Sequence, residues 1–214
     1  YETLYGEGGH VRDLVRTGIR APGVQNLLDA VSSAEGEGIR PLALVLGWME
    51  GPAMERALSR LLGHPEARKE VVEAFIRHGR RVTNLLIQQL RAEDLEIRQA
   101  AVMALGRIGD PAAVPALIEV LQNEPELTVL TAGAMAKIGD LGPFETLMAM
   151  LGHEEAAVRR AVISALNSMG HPDMPDRIRT LLADPDPKVR ESAVRIAGYF
   201  SYPQCGERFL ERTR

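Results

Sequence analysis

Few residues of this 214-residue chain are of types that do chemistry, and they are scattered: five histidines (His10, His64, His78, His153, His171) and one cysteine, Cys205. A metal site needs several imidazoles, thiolates or carboxylates converging on one point. The histidines instead fall at separate places in the sequence, mostly in expected turns, and a lone cysteine makes neither an internal disulfide nor a cysteine-rich zinc site. Cys205 sits where a final helix would start, a position that lowers a thiol pKa, although a half-buried bystander thiol is the expectation. The Gly6-Glu7-Gly8-Gly9 cluster has no strand before it and no lysine after it, so it reads as a leader and not as a phosphate loop. No Gly-x-Ser-x-Gly elbow is present. No catalytic residue, metal ligand or cofactor is expected, and the chain reads as a non-enzyme.

Composition narrows the class further. With 45% hydrophobic and 25% charged residues the chain has the means to bury a core. Its charge is 25 basic minus 29 acidic residues, or −4, which argues against a protein built to neutralise phosphates. Aromatics are 4% of the chain, with Trp48 the single tryptophan, too few for base-stacking platforms. The longest apolar run, Pro41 to Trp48, is far short of the roughly 20 residues that span a bilayer. No signal peptide is seen near Tyr1, so a soluble, cytoplasmic protein is expected. A start at Tyr1 suggests that residues have been removed or that the chain is a piece of something longer.

The elements that would position any site emerge from an internal period. Ala104-Leu105-Gly106-Arg107-Ile108-Gly109-Asp110 is followed 30 residues later by Ala134-Met135-Ala136-Lys137-Ile138-Gly139-Asp140, then after 31 more by Ala165-Leu166-Asn167-Ser168-Met169-Gly170. Val158-Arg159 recurs as Val189-Arg190, and Arg68 to Gly79 and Leu46 to Pro52 extend the series backwards. Each copy holds two helical patterns. Ile97, Ala101, Ala104, Leu105 and Ile108 make one apolar face, and Val114, Leu117, Val120 and Leu121 make a second. Between them Gly109-Asp110-Pro111 supplies a helix stop, an N-cap and a first-turn proline, and Asp184-Pro185-Asp186-Pro187 does the same between copies, with Asp186 as cap. Such pairs cannot bury their faces alone and must stack.

The expected fold is therefore an all-α solenoid of stacked antiparallel helix pairs, with six clear repeats and a degenerate N-terminal one. Residues 1–35 form the degenerate cap, 36–203 the regular repeats and 204–214 a last, incomplete helix. The string Asp-Pro-x-Val-Arg-x-x-Ala-x-x-Ala-Leu-Gly-x-Ile-Gly-Asp-Pro resembles the short HEAT repeat of about 30 residues, the subclass found in phycobilin lyase subunits and in deoxyhypusine hydroxylase. That resemblance implies an armadillo-like superhelix whose second helices line a concave face. It also implies a place to look for iron, because the family's hydroxylase holds the metal with His-Glu pairs just after the Val-Arg of the first helix. The matching positions here are Gln99-Ala100, Arg160-Ala161 and Glu191-Ser192, which hold no histidine. His153-Glu154 falls instead in the loop before a helix.

Two basic columns run along the first helices. Arg68, Arg98, Arg159 and Arg190 are expected to reach turn aspartates such as Asp110 and Asp140 in an inter-repeat ladder. Arg77, Arg107 and Lys137 close the helices, where positive charge suits the dipole. Registering the second helices places Ala116, Ile118, Met148 and Ala149 in outward columns, a shallow apolar patch rimmed by Arg60, Arg177 and Arg179, with Gln88 in the same register. An apolar patch with a polar rim marks a partner site. The alternative is that curvature buries Ile118 and Met148. Gly133, mid-helix where other copies have Met103, Ser164 or Arg195, leaves two readings: close approach of a partner backbone, or a copy that simply tolerates glycine.

The function read from these residues is a non-catalytic scaffold that binds another protein, or another domain of the same polypeptide, along the second-helix face. A lyase-type or chaperone-like subunit for a tetrapyrrole-bearing protein is the alternative. Nucleic-acid binding comes third, kept alive by Arg177, Arg179, Arg208 and Arg212.

Overall fold

The computed structural model describes residues 21–33 and 36–202, so His10, the glycine cluster, Cys205, Arg208 and Arg212 lie outside the described residues. Helices and turns make up those residues, with no strand among them. In chain order the helices are α1 (Ala21–Ser33), α2 (Ile39–Leu46), α3 (Pro52–Leu61), α4 (Arg68–His78), α5 (Thr83–Gln89), α6 (Leu95–Ile108), α7 (Val114–Asn123), α8 (Thr128–Ile138), α9 (Phe144–Ala149), α10 (Ala156–Met169), α11 (Met174–Leu181) and α12 (Pro187–Phe200). Even-numbered helices from α2 to α12 are the first helices of their repeats, and α3, α5, α7, α9 and α11 are the second. α1 precedes the first of these pairs. None of the described helices is long and apolar enough to cross a membrane.

The chain forms two compact units, Tyr1–Ile108 and Gly109–Arg214. In the N-terminal unit first helices stack on first helices, α2 on α4 and α4 on α6, while α1, α3 and α5 stack in parallel order. In the C-terminal unit α8, α10 and α12 stack successively, and α9 and α11 each pack on the first helix that follows them. This is the α-solenoid arrangement, and the cores are built from the periodic residues. Ala101, Ala104 and Leu105 of α6 are fully buried, as are Leu117 of α7 and Ala165 and Leu166 of α10.

Local signals place the helix ends as the sequence requires. Asp110 accepts a hydrogen bond from the backbone N–H of Ala112 at 3.2 Å, and Asp186 accepts one from Lys188 at 2.8 Å. Asp140 does the same for Gly142 at 2.7 Å. Two histidines fill this aspartate role. His153 Nδ1 accepts from Glu155 N at 3.1 Å and His171 Nδ1 from Asp173 N at 3.2 Å. The first helices from α4 onward end with positive φ, at Gly79 (63°), Gly109 (69°), Gly139 (70°), Gly170 (61°) and, in the last one, Ser201 (53°), whereas α2 ends at Gly47 with φ −66°. A side chain at these angles is strained, which explains the recurring glycine.

The arginine column works differently from the expected ladder. Arg98 Nη1 donates to the carbonyls of Ala92 and Glu93 at 2.7 and 2.8 Å. Arg159 repeats this on His153 and Glu154 at 2.7 and 2.9 Å, and Arg190 on Asp184 and Pro185 at 2.8 and 2.7 Å. Arg68 Nε donates to Leu62 O at 3.1 Å. Each guanidinium gathers carbonyls that the loop before its own helix cannot pair internally, a charge-assisted use of orphan acceptors. Arg68 also makes an inter-repeat ion pair, with Glu96 at 2.5 Å, and further such pairs come from residues outside the column, among them Arg107 with Glu73 at 2.5 Å and Arg177 with Glu145 at 2.8 Å. A Cβ built at Gly133 meets nothing within 4 Å, so no packing within this chain requires glycine there.

Candidate functional site

The second helices of the C-terminal unit leave a groove of about 290 Å³, lined by Leu121 and Gln122 of α7, Pro125 and Thr128 of the following turn, Thr146, Ala149 and Met150 at α9, and His153. Its volume sits at the lower edge of the roughly 300–1,000 Å³ usual for small-molecule sites. Leu121, Pro125, Ala149 and Met150 give it apolar walls. Thr128 is buried and its hydroxyl donates to Glu124 O at 3.3 Å. Because His153 Nδ1 accepts a backbone N–H, a neutral ring carries its proton on Nε2. Arg159 holds the His153 carbonyl and so fixes the loop that forms this wall.

The opposite wall lacks that device. In the arginine column, position 129 holds valine: Val129 is 46% exposed, at the start of α8. Here the connection is instead a short 3-10 turn, Pro125–Leu127. At this junction, unlike those of Arg68, Arg98, Arg159 and Arg190, no guanidinium draws the loop in; a larger and more polar cleft of about 520 Å³, lined by Arg179, Thr180, Leu181, Ala183, Asp184 and Pro185, opens beside the loop that Arg190 holds. The skipped arginine was visible in the spacing, since Arg98 and Arg159 lie two repeats apart.

Of the eight residues expected at a partner site, Ala149 is exposed and lines this groove. Met148 is 6% exposed and belongs to the core. The six-residue α9 turns Phe144, Leu147 and Met148 inward together, so of the two expected columns crossing α9 the one through Met148 faces the core and Ala149 faces out with Glu145. Ile118 and Ala116 on α7 are half-buried. Arg177 and Arg179 are exposed on α11, but Arg177 is engaged by Glu145 and Arg179 lies 4.0 Å from Asp176. Arg60 and Gln88 are exposed in the N-terminal unit, on α3 and α5. Within the C-terminal unit Met148 is therefore core and not part of an exposed apolar patch.

Titratable groups are spread as the sequence implies. His171 stacks on Phe144 with ring centroids 3.8 Å apart. His64 is half-buried. His78 is buried at the end of α4, its Nε2 lying 3.2 Å from Gly47 O, so it donates to that carbonyl while Nδ1 has no hydrogen-bond partner. Burial pushes its pKa below the ordinary 6.5, with Arg77 and Arg81 acting in the same direction and the Gly47 bond and Glu55 opposing. Among the described residues no three or more His, Cys, Asp or Glu side chains are grouped to hold a metal. At the positions where the hydroxylase resemblance implies iron-holding pairs, Ala100 is buried in α6. Ser192 is also buried and donates to Leu151 O at 2.8 Å. These residues do not fit an iron pair.

A family model described as HEAT repeats matches residues 54–136 and again 124–198. A deoxyhypusine hydroxylase of Neurospora crassa is 34% identical over 86 residues, 38% of this chain and 26% of the relative. The chain thus spans about a quarter of that relative's length. Because the relative is an enzyme by name, the match overturns the expectation of a chain without catalytic activity. The crystal structure of an engineered protein is also similar, with a TM-score of 0.42 and 20% identity over 88% of this chain and 95% of that one.

Proposed function

Because the chain belongs to the HEAT-repeat family, we propose that it is a repeat scaffold that binds a partner protein in the groove between α7 and α9. Solenoids present extended surfaces and work mostly by recognition. The observation that carries the reading is the groove itself: apolar walls left uncovered at the junction where the loop-gathering arginine is replaced by Val129. A cleft of this size and openness suits one or two anchoring side chains of a protein segment better than a whole small molecule. Half-buried Met150, with its flexible thioether, adapts the floor to such an anchor. Binding at this groove neither requires nor excludes catalysis elsewhere in the chain.

Quantitative affinity capture with the full chain tests the proposal. A partner recovered in stoichiometric amounts on the wild type should fall by about tenfold or more on Ala149→Trp, which fills the groove from an exposed position, a loss of the size expected for blocking a central anchor. The same partner should survive Glu66→Ala on the N-terminal unit. Equal recovery on wild type and Ala149→Trp sinks the groove as the binding site.

A further inference from the structure

The groove lies in the most acidic part of the chain. From Gly109 to Val158 the sequence holds eight carboxylates against one basic residue, Lys137, although the whole chain is only −4. Several of those carboxylates adjoin lining residues: Glu124 and Glu126 flank Pro125, Glu145 precedes Thr146, and Glu154 and Glu155 follow His153. Some are already engaged, Glu145 by Arg177 and Glu154 by Lys188. Glu126 and Glu155 are exposed and have no ion-pair partner among the described residues. One stands on the turn that forms the first wall, the other beside the loop that forms the second.

Resting on the groove reading above, we infer that the partner segment is basic: an apolar side chain seats between α7 and α9, and lysine or arginine side chains beside it meet Glu126 and Glu155. The physical argument is complementarity. Carboxylates that no cation of the chain neutralises set a negative potential over an apolar cleft, which steers a cationic segment in and costs an acidic one. The same potential repels phosphate, so nucleic acid and anionic membrane surfaces are poor occupants of this site. The expected rim of arginines would have selected the reverse charge. Arg177 and Arg179 lie close to acidic side chains of their own unit, Glu145 and Asp176.

Selection of a random peptide library displayed on phage against the full chain tests this inference. Lysine and arginine should be enriched several-fold over the unselected library, and binding of the selected peptides should be lost on Ala149→Trp and on Gln122→Trp. Both substitutions are at exposed lining positions, and circular dichroism checks that each variant is folded. Glu126→Gln and Glu155→Gln should each weaken the selected peptides by about two- to fivefold at low salt, the range of a solvent-exposed ion pair, and 0.5 M salt should remove that difference. Acidic or uncharged winners that are lost on the two tryptophan variants leave the groove standing and overturn the basic partner. Basic winners that bind all variants equally overturn both readings. A selection with no enrichment overturns the inference.

Discussion

The two units are built from one repeat yet bury different chemistry. In the N-terminal unit the core takes in ionisable groups: Glu70 is 4% exposed against Arg40, at 2.5 Å, and His78 is 7% exposed beneath Gly47. In the C-terminal unit the buried polar side chains, among the described residues, are the hydroxyls of Thr128, Thr131 and Ser192. Charge there is kept outside, as the carboxylates around the groove. A buried charge or imidazole must be held by specific partners, which fixes how neighbouring first helices meet. An apolar interior with exposed carboxylates leaves the surface free for recognition. One unit spends its polar residues on internal register, the other on its exterior.

The sharpest test of this contrast compares two adjacent residues of α9. Met148→Asp puts an unpaired charge in the apolar interior and should cost on the order of 4 kcal/mol, seen as a large loss in the denaturation midpoint. Ala149→Asp, one residue on, should change stability by no more than about 0.5 kcal/mol. Equal effects would show that α9 is rotated from the orientation described.

Two glycines give a smaller pair of opposite sign. A Cβ at Gly47 would lie 2.7 Å from Ala74 Cβ and 2.8 Å from Arg77 Nη2, both on α4, whereas one at Gly133 meets nothing within 4 Å. Gly47→Ala should therefore destabilise by roughly 1–3 kcal/mol through overpacking. Gly133→Ala should stabilise by up to about 1 kcal/mol through helix propensity. Stabilisation by both would show that α2 and α4 do not meet at Gly47.

The smallest effect is in pH. Folding holds His78 neutral, so its pKa is lowered and the unfolded chain binds a proton that the folded chain refuses. Stability should thus be flat in this contribution above the ordinary value of 6.5, decline as pH falls below it, and level off beneath the lowered folded value. His78→Gln, which keeps a donor for Gly47 O, should remove that part of the slope in urea midpoints measured between pH 5 and 7.5. An unchanged slope would place the titrating group elsewhere.

Much of the fold could be read from particular residues. The recurrence of Ala-Leu-Gly-x-Ile-Gly-Asp identified the repeat, Asp110 and Asp186 cap as their positions require, and Gly109, Gly139 and Gly170 close their helices with positive φ. Arg98, Arg159 and Arg190 formed a column on the page, yet their partners are backbone carbonyls, which sequence spacing does not display. The candidate site was only partly legible. Ala149 is exposed as its column implies, but one helical register carried across copies whose second helices differ in length, ten residues in α7 and six in α9, misplaces Met148. The missing arginine at Val129 and the acidic stretch were both available signals.

The sequence by itself determined the repeat, its all-helical class, its caps and its core, because those depend on period and on interactions within a few residues. Only the tertiary structure decided which face of each second helix meets solvent. Helix rotation is set by the packing of neighbours a full repeat away, where one residue of register moves a methionine from the surface into the core.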